Sequence, residues 1–251
     1  MTFVNKIASV GYRMQSALRF TLSAACADDV CCRCGKKSYG SVLCADCSKW
    51  FLQHSLKAQD CCPYCAKPLV SEIGLCMQCR QKRVLQSADS VHSLYTYRQW
   101  CKNLLFAWKT EGRRSAALLF AQAVYKALPK DCRTIVPVPP RPGKIRARGW
   151  DQIDDLCRIL SFCYGIQVLG LLERKTALQQ KKMDREGRLQ LSALSYCIKE
   201  SALRKKNKSA LEEVVLLDDV ITTGATVEAC ASLLKAYGIG KVHVLSLFIV
   251  D

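Results

Sequence analysis

A short segment near the carboxyl end carries the residue types that bind a sugar phosphate. Apolar residues 214–217 lead into Asp218 and Asp219, and a turn of threonine, glycine and alanine follows. Amides at the start of a helix and threonine hydroxyls donate hydrogen bonds to phosphate, whereas paired carboxylates suit ribose hydroxyls or a Mg²⁺ ion. A threonine-capped turn is the ordinary alternative, but a cap accounts for one threonine rather than three. The segment therefore predicts a ligand-binding loop between a strand and a helix.

A second segment also leads from a predicted strand into a loop suited to anions. The strand is predicted over residues 133–138, and the basic loop that follows contains Pro140, Arg141 and Arg148. The forked donors of arginine match the oxygens of a pyrophosphate, although proline-rich turns with arginines also occur on ordinary surfaces. Pro140, Arg141 and Arg148 are therefore the candidate pyrophosphate-binding residues.

Four Cys-x-x-Cys pairs lie between residues 26 and 85, in two repeats. Nine residues separate the pairs of the first repeat and ten separate those of the second. Two such turns can direct four thiolates at one Zn²⁺ ion, so four pairs predict two structural zinc ions. The pairing that follows the repeat gives Cys31, Cys34, Cys44 and Cys47 for the first ion and Cys62, Cys65, Cys76 and Cys79 for the second.

Sequence alone leaves alternatives for these cysteines open. Crossed pairing of the four turns gives the same two ions, and the neighbours Cys32 and Cys61 leave the register of each repeat open. A thioredoxin-type redox site is the rival function, but it needs one such motif in a βαβ setting rather than four in a row. The remaining cysteines are expected to be small core residues, including Cys157, Cys163 and Cys230.

The elements that must position these residues alternate along the rest of the chain. Strands are predicted over residues 91–97, 133–138, 167–172, 214–217 and 241–250, helices over 100–108, 115–128, 151–164 and 226–237, and a charged loop over 173–188. This alternation predicts an α/β fold with a mostly parallel sheet flanked by helices. A polar stretch at residues 86–90 separates this domain, residues 90–251, from a Cys-rich module at residues 26–85. Residues 1–25 are predicted to form an amphipathic helix from their three- and four-residue apolar spacing.

Charge and composition bear on partners and location. The formal net charge is +17, and such a field draws polyanions such as nucleic acid, although solubility alone is the plainer explanation. Trp50, Trp100, Trp108 and Trp150 offer rings on which bases could stack, while core packing is the ordinary fate of most tryptophans. No stretch reaches the ~20 apolar residues that span a bilayer. Metal-binding thiolates fit a reducing compartment, so we expect a cytoplasmic protein.

Two resemblances follow from these motifs. Residues 214–226 resemble the phosphoribosyl pyrophosphate signature of the type I phosphoribosyltransferases, and nearly the whole chain resembles the competence protein F family. The second resemblance rests on the Cys pairs, the Val-Pro-Val-Pro strand, residues 148–152, the signature loop, and Arg174, Thr176, Gln180 and Arg188. Asp151 and Leu191 stand where that family usually has Asn, and these departures bear on turnover more than on ligand binding.

The resemblance implies a double zinc ribbon joined to a phosphoribosyltransferase-like domain. It implies ribose contacts from Asp218 and Asp219 and a ligand of phosphoribosyl pyrophosphate with Mg²⁺. The implied phosphate-binding residues are Thr222, Thr223, Gly224, Ala225 and Thr226, and the implied flexible loop contains Arg174, Gln180 and Arg188.

The resemblance also implies a role in natural transformation, in which the protein handles single-stranded DNA during uptake. Two other hypotheses stay open. The first is an active phosphoribosyltransferase of unknown acceptor, for which no acid, base or nucleophile stands out in the sequence. The second is a ligand-sensing adaptor for a DNA-uptake helicase or another competence protein.

Overall fold

The computed structural model of the chain describes residues 30–140, 149–175, 195–199 and 212–250. The predicted helix at residues 1–25 lies outside these ranges. The helices are α1 (Ala45–Gln53), α2 (Met77–Gln81), α3 (Trp100–Lys109), α4 (Ala116–Ala127), α5 (Gln152–Tyr164) and α6 (Ala225–Ala236), with a short 3-10 helix at Ala58–Asp60. The strands are β1 (Ser90–Thr96), β2 (Thr134–Pro137), β3 (Gln167–Val168), β4 (Leu172–Arg174), β5 (Tyr196–Ile198), β6 (Glu213–Ile221) and β7 (Lys241–Ile249).

Five strands form one sheet in the order β1-β7-β6-β2-β3, and every neighbouring pair is parallel. Strands β4 and β5 form a separate antiparallel pair. Helices follow the strands in the alternation that the sequence predicts, and α6 packs on β6 and β7 while α5 packs on β2 and β3. The predicted fold class, an α/β protein with a mostly parallel sheet flanked by helices and preceded by a Cys-rich module, is confirmed.

Residues 214–217 of the central strand β6 form a continuous apolar run because both faces of the strand are covered there. Val214 and Leu216 pack with Val242 of β7 and Leu234 of α6 in one core. Fully burying a side chain of this size contributes roughly 1.5–3 kcal/mol. Strand β6 is longer than the predicted strand at residues 214–217, because residues 218–221 continue to pair with β7 up to Ile249.

Helix α5 shows how sequence sets the ends of an element beside the site. The Asp151 carboxylate accepts hydrogen bonds from the amides of Ile153 and Asp154, both at 3.0 Å, and so caps the first turn. Gly165 ends the helix in a left-handed conformation with φ 64°. Buried Leu156 and Leu160 lie one turn apart and hold the helix against the sheet.

The antiparallel pair of β4 and β5 was not predicted. Residues 167–172 were expected to form one strand, but they contain β3 and the start of β4, and the predicted loop at 173–188 begins inside β4. Each of these strands has two or three residues, which is too short for an alternating apolar pattern to show in a sequence.

Contacts divide the chain into two compact units, each built from two stretches of sequence. The first comprises Met1–His54 and Gln99–Leu119 and contains α1, α3 and the first cysteine repeat. Inside it, the Phe51 ring packs edge-on against Trp100, and Arg113 donates to the carbonyl of Val30 at 2.8 Å. The second comprises Ser55–Arg98 and Phe120–Asp251 and contains the sheet and the second cysteine repeat. The predicted division at residues 25, 85 and 90 stays a prediction.

Candidate ligand site and metal centres

The carboxyl-terminal edge of the sheet, here called its crest, is the candidate ligand position between β2 and β6. The connection after β2 leads through α5 to β3 on one side, whereas the connection after β6 leads through α6 to β7 on the other. Ligands of open parallel sheets bind at the carboxyl ends of strands where the strand order reverses in this way. The predicted ligand loop follows β6, and Pro140 lies shortly after β2. Both therefore lie at this switch point.

Asp218 and Asp219 lie near the carboxyl end of β6, and their side chains enter different environments. Consecutive residues of a strand point to opposite faces of the sheet. The Asp219 carboxylate accepts a hydrogen bond from the Gln152 amide of α5 at 2.7 Å. The Asp218 carboxylate lies near Tyr196 and Cys230, on the side of β5 and α6, and accepts from the backbone amide of Asp219 at 2.8 Å. Both carboxylates are partly exposed, so they can meet the hydroxyls of a sugar.

The turn after β6 has the backbone that close approach to a phosphate requires. Gly224 is the N-cap of α6 and has φ 81°, a conformation that favours glycine. A Cβ at this position would lie 3.1 Å from Leu85 Cδ2. Thr223 Oγ1 accepts from the amide of Ala225 at 3.4 Å, and Thr222 is exposed. The loop thus presents hydroxyls and helix-opening amides at one end of the sheet.

Tyr196 is a site neighbour that sequence reasoning missed. Its phenol is hydrogen-bonded to the Thr226 side chain and accepts from the Arg174 guanidinium at 3.1 Å. Burial raises the pKa of this phenol, so it stays neutral. Arg174, predicted to lie in a flexible loop, is therefore brought close to Thr226 of the predicted phosphate-binding loop through β4 and β5. No motif marks Tyr196, because the contact depends on the unpredicted strand pair.

Several predicted site residues cannot be placed. Arg141, Arg148, Gln180 and Arg188 lie outside the described residues, as do Thr176 and Leu191. Their assignment to the pyrophosphate and flexible loops stays a prediction.

Asp151, which stands where the resembling family usually has Asn, is held in an environment that disfavours its charge. Burial raises the pKa of the Asp151 carboxyl, and the charges of Asp154 and Asp219 raise it further against the opposing hydrogen bonds from the α5 amides. The departure at Asp151 therefore acts electrostatically on Asp219, one of the two predicted ribose-binding residues.

Both predicted cysteine sets are brought together by the structure. In each set all four sulfur atoms lie within 4.8 Å of one another. Cys34 Sγ lies 3.7 Å from Cys44 Sγ, and Cys65 Sγ lies 3.6 Å from Cys76 Sγ. Four sulfurs at ~2.3 Å from a central Zn²⁺ stand about 3.8 Å apart in a tetrahedron. Both clusters could therefore hold zinc, and the pairing is the one that follows the repeat.

The first cysteine of each cluster has its pKa lowered by the same kind of hydrogen bond. Burial disfavours ionisation of Cys31, but hydrogen bonds from the amides of Cys44, Cys34 and Arg33 outweigh it and lower the pKa to about 6. The equivalent Cys62 has its pKa lowered to about 7 by the amides of Cys76, Tyr64 and Cys65, again against burial. These amides favour the metal-binding form of the first cysteine in each repeat.

The neighbouring cysteines resolve the open register. Burial raises the pKa of Cys32 to about 11 and also raises that of Cys61, and neither belongs to a cluster. Cys157 and Cys230 are buried as expected, whereas Cys163 is exposed. The expectation of a core position is wrong for Cys163. It lies in the last turn of α5, beyond Leu160, the last buried residue of that helix.

A pair of adjacent substitutions tests the first metal centre. Cys31→Ser removes a ligand, so we expect the zinc content of the purified chain to fall from two ions to one, measured by elemental analysis. Cys32→Ser is the matched control and should retain both ions. Equal zinc loss in the two variants would contradict the assigned register.

Asp151→Asn should stabilise the protein at neutral pH. Asn caps a helix as well as Asp does, and it lacks a charge that the folded state disfavours. Because the folded-state pKa of Asp151 is raised, the destabilising effect of its charge is absent below the ordinary value of 3.8 and grows as pH rises through the folded-state pKa. We therefore expect a higher Tm for Asp151→Asn at pH 7 and a gap that narrows toward pH 4 in thermal scans. A variant Tm at or below that of the wild type at pH 7 would refute this account.

None of the helices in the described ranges combines the length and apolar character that a bilayer crossing requires.

Comparisons with known proteins find similarity to three competence proteins. No family model matches the chain. The chain is 28% identical over 208 residues to competence protein ComFC of Streptococcus pneumoniae, which covers 82% of this chain and 87% of that protein. It is 28% identical over 188 residues to competence protein ComFC of Bacillus subtilis, covering 70% and 72%. It is 26% identical over 215 residues to competence protein F of Haemophilus influenzae, covering 82% and 89%. Together with two four-cysteine clusters that fit a double zinc ribbon, these similarities confirm the predicted resemblance to the competence protein F and ComFC proteins.

Proposed function

We propose that the chain binds phosphoribosyl pyrophosphate at the crest of its parallel sheet. The observation that carries this proposal is the position of Asp218, Asp219 and the turn at residues 222–226 at the switch point between β2 and β6. A ligand there contacts the two carboxylates at the end of β6 and the amides and hydroxyls of the turn that follows. A sugar phosphate satisfies both, because its ribose hydroxyls donate and its phosphate oxygens accept.

Different residues of the site bind different parts of the ligand. Asp218 and Asp219 accept from the ribose hydroxyls, and Gln152 keeps the Asp219 carboxylate oriented through its 2.7 Å hydrogen bond. The turn led by Gly224 takes the 5′-phosphate at the positive end of the α6 dipole. Pro140, Arg141 and Arg148 take the pyrophosphate. A Mg²⁺ ion bound with the ligand would be held by Asp218 and Asp219, directly or through water, and would neutralise the pyrophosphate charge.

We further propose that the protein acts in DNA uptake during natural transformation and contacts single-stranded DNA. Three relatives are named competence proteins, and the net charge of +17 attracts a polyanion. A cluster of rings and charge lies in the first unit. The Arg33 guanidinium lies 4.0 Å from the Trp50 ring centroid and 5.3 Å from that of Trp100, and His54 stacks on Trp50 at 4.2 Å.

This aromatic cluster is suited to bases rather than to the core. Arg33 and His54 are exposed, and Trp50 and Trp100 are partly exposed, whereas Trp108 is fully buried. A base can extend this stack by packing on the exposed guanidinium or imidazole that covers Trp50, and such stacking is independent of sequence. Trp50 and Trp100 therefore remain candidates for the base-stacking cluster, whereas Trp108 is a core residue.

Two other functions use the same site. An active phosphoribosyltransferase would release pyrophosphate when a base or amine acceptor is supplied, and the fold is compatible with turnover or with binding alone. A ligand-sensing adaptor would bind a DNA-uptake helicase or another competence protein instead. Pyrophosphate release in the presence of candidate acceptors distinguishes the first of these from simple binding.

Calorimetric titration with phosphoribosyl pyrophosphate and Mg²⁺ tests the ligand. We expect the wild type to bind and the double variant Asp218→Asn with Asp219→Asn to lose at least roughly tenfold in affinity, because charge-assisted hydrogen bonds to the ribose are removed. Asp154→Asn removes an exposed carboxylate from α5, outside the site, and should bind as the wild type does. Absence of binding by folded, zinc-containing wild type would overturn the proposal.

Binding of a labelled oligothymidine tests the DNA contact. We expect affinity that falls with added salt and a roughly five- to hundredfold weaker complex for Trp50→Ala, because the stack that a base would extend is lost. Phe106→Ala removes another exposed ring of the first unit and should leave the affinity unchanged. Fluorescence anisotropy at low and high salt measures both, and equal affinity of Trp50→Ala and wild type would show that bases do not stack there.

A further inference from the structure

A small pocket joins the second cysteine repeat to the candidate phosphate loop. Its lining includes Lys67 and Gln78 from the repeat and Thr222, Thr223 and Gly224 from the loop, and its volume is about 20 Å³. Such a space admits a group the size of a water molecule. It can therefore accept a phosphate oxygen at one end of the site, while a sugar must lie outside it, over Asp218 and Asp219.

Lys67 is held at this pocket by the metal-binding turn. Its amide is hydrogen-bonded to the Cys65 sulfur, and its carbonyl accepts from the Cys62 amide at 2.8 Å. Ala66 between them has φ 61°. Two predicted ligands of the second ion thus fix the backbone from which the Lys67 side chain extends.

The repeat is fixed to the loop by the linker that follows it. The Arg83 guanidinium lies 3.8 Å from the Tyr64 ring centroid and donates to the Leu85 carbonyl at 2.7 Å. Leu85 in turn packs against Gly224.

The next two linker residues bind the first turn of α6. The Glu228 carboxylate accepts from the Gln86 amide at 2.8 Å and from the Ser87 hydroxyl at 2.7 Å. The metal-binding turn and the phosphate loop are therefore parts of one site in the second unit.

Lys67 is the charged side chain of the pocket lining apart from the metal ligands. We propose that Lys67 is a phosphate-binding residue of the ligand site, so that the second cysteine repeat supplies the cation that the loop itself lacks. This inference rests on the proposed function and names a further residue of the same site. An ammonium beside helix-opening amides gives the phosphate a charge-assisted hydrogen bond.

The first repeat contains a matched control for this assignment. Lys36 occupies the equivalent position, because its carbonyl accepts from the Cys31 amide at 2.7 Å, and Lys36 is exposed. A lysine whose only role is to offset the negative charge of its own four-cysteine centre would behave alike in the two repeats. A phosphate-binding role belongs to Lys67 alone.

Titration of wild type, Lys67→Ala, Lys67→Arg and Lys36→Ala with ribose 5-phosphate and with pyrophosphate tests the assignment. We expect Lys67→Ala to raise the Kd for ribose 5-phosphate by roughly tenfold or more, Lys67→Arg to restore most of the affinity, and Lys36→Ala to match the wild type. The Kd for pyrophosphate should change by less than about twofold in every variant. All variants should retain two zinc ions, and Lys67→Met replaces Lys67→Ala in the comparison if the latter loses metal.

The outcomes separate the two proposals. If the wild type binds and Lys67→Ala binds ribose 5-phosphate equally well, the Lys67 assignment is wrong and the proposed function stands. If Lys67→Ala and Lys36→Ala weaken binding equally, the lysines serve their metal centres and the assignment is again wrong. If the folded wild type binds neither phosphoribosyl pyrophosphate nor ribose 5-phosphate, both proposals fail.

Discussion

Strand β6 pairs with parallel neighbours on both sides, and this pairing determines where the candidate site residues lie. β2 pairs with it as far as Leu217, and β7 pairs with it as far as Ile221. Because the pairing with β7 continues, the alternation of a strand extends through Asp218 and Asp219. One carboxylate is directed toward Tyr196 and α6 and the other toward α5. After Ile221 the chain leaves the sheet through a turn in which Gly224 adopts φ 81° and begins α6. The two carboxylates and the amides proposed to bind phosphate are thereby kept a few residues apart.

Local spacing made some of this predictable. The Cys-x-x-Cys pairs specify tight turns, so the eight clustered cysteines could be predicted, whereas the structure was needed to exclude crossed pairing. The apolar run before Asp218 identifies the central strand. Residues without a local signal were not predictable. Gln86 and Glu228 are separated by 142 positions, and the contact of Gln152 with Asp219 spans 67. Tyr196 reaches Thr226 only because two three-residue strands pair, and strands that short show no period.

The duplicated cysteine repeats have the same internal hydrogen bonds and different surroundings. In each, three amides lower the pKa of the first cysteine, and a lysine carbonyl closes the turn. The first repeat adds Arg33, which donates to Cys47 Sγ at 3.7 Å and also lies over Trp50. The second contributes to a pocket with the loop after β6. Duplication thus provided two copies of a rigid turn, and the residues exposed beside each copy decide what it can bind.

The first unit is not continuous in sequence. It combines residues before His54 with Gln99–Leu119, and the edge-on contact of Phe51 with Trp100 connects the two stretches. A protease or a cloning boundary near residue 90 would therefore leave α3 with an uncovered apolar face, and the shortened product would tend to aggregate. Recombination that exchanges the first cysteine repeat between relatives must likewise exchange α3. The two sequence stretches of the first unit should therefore be inherited together.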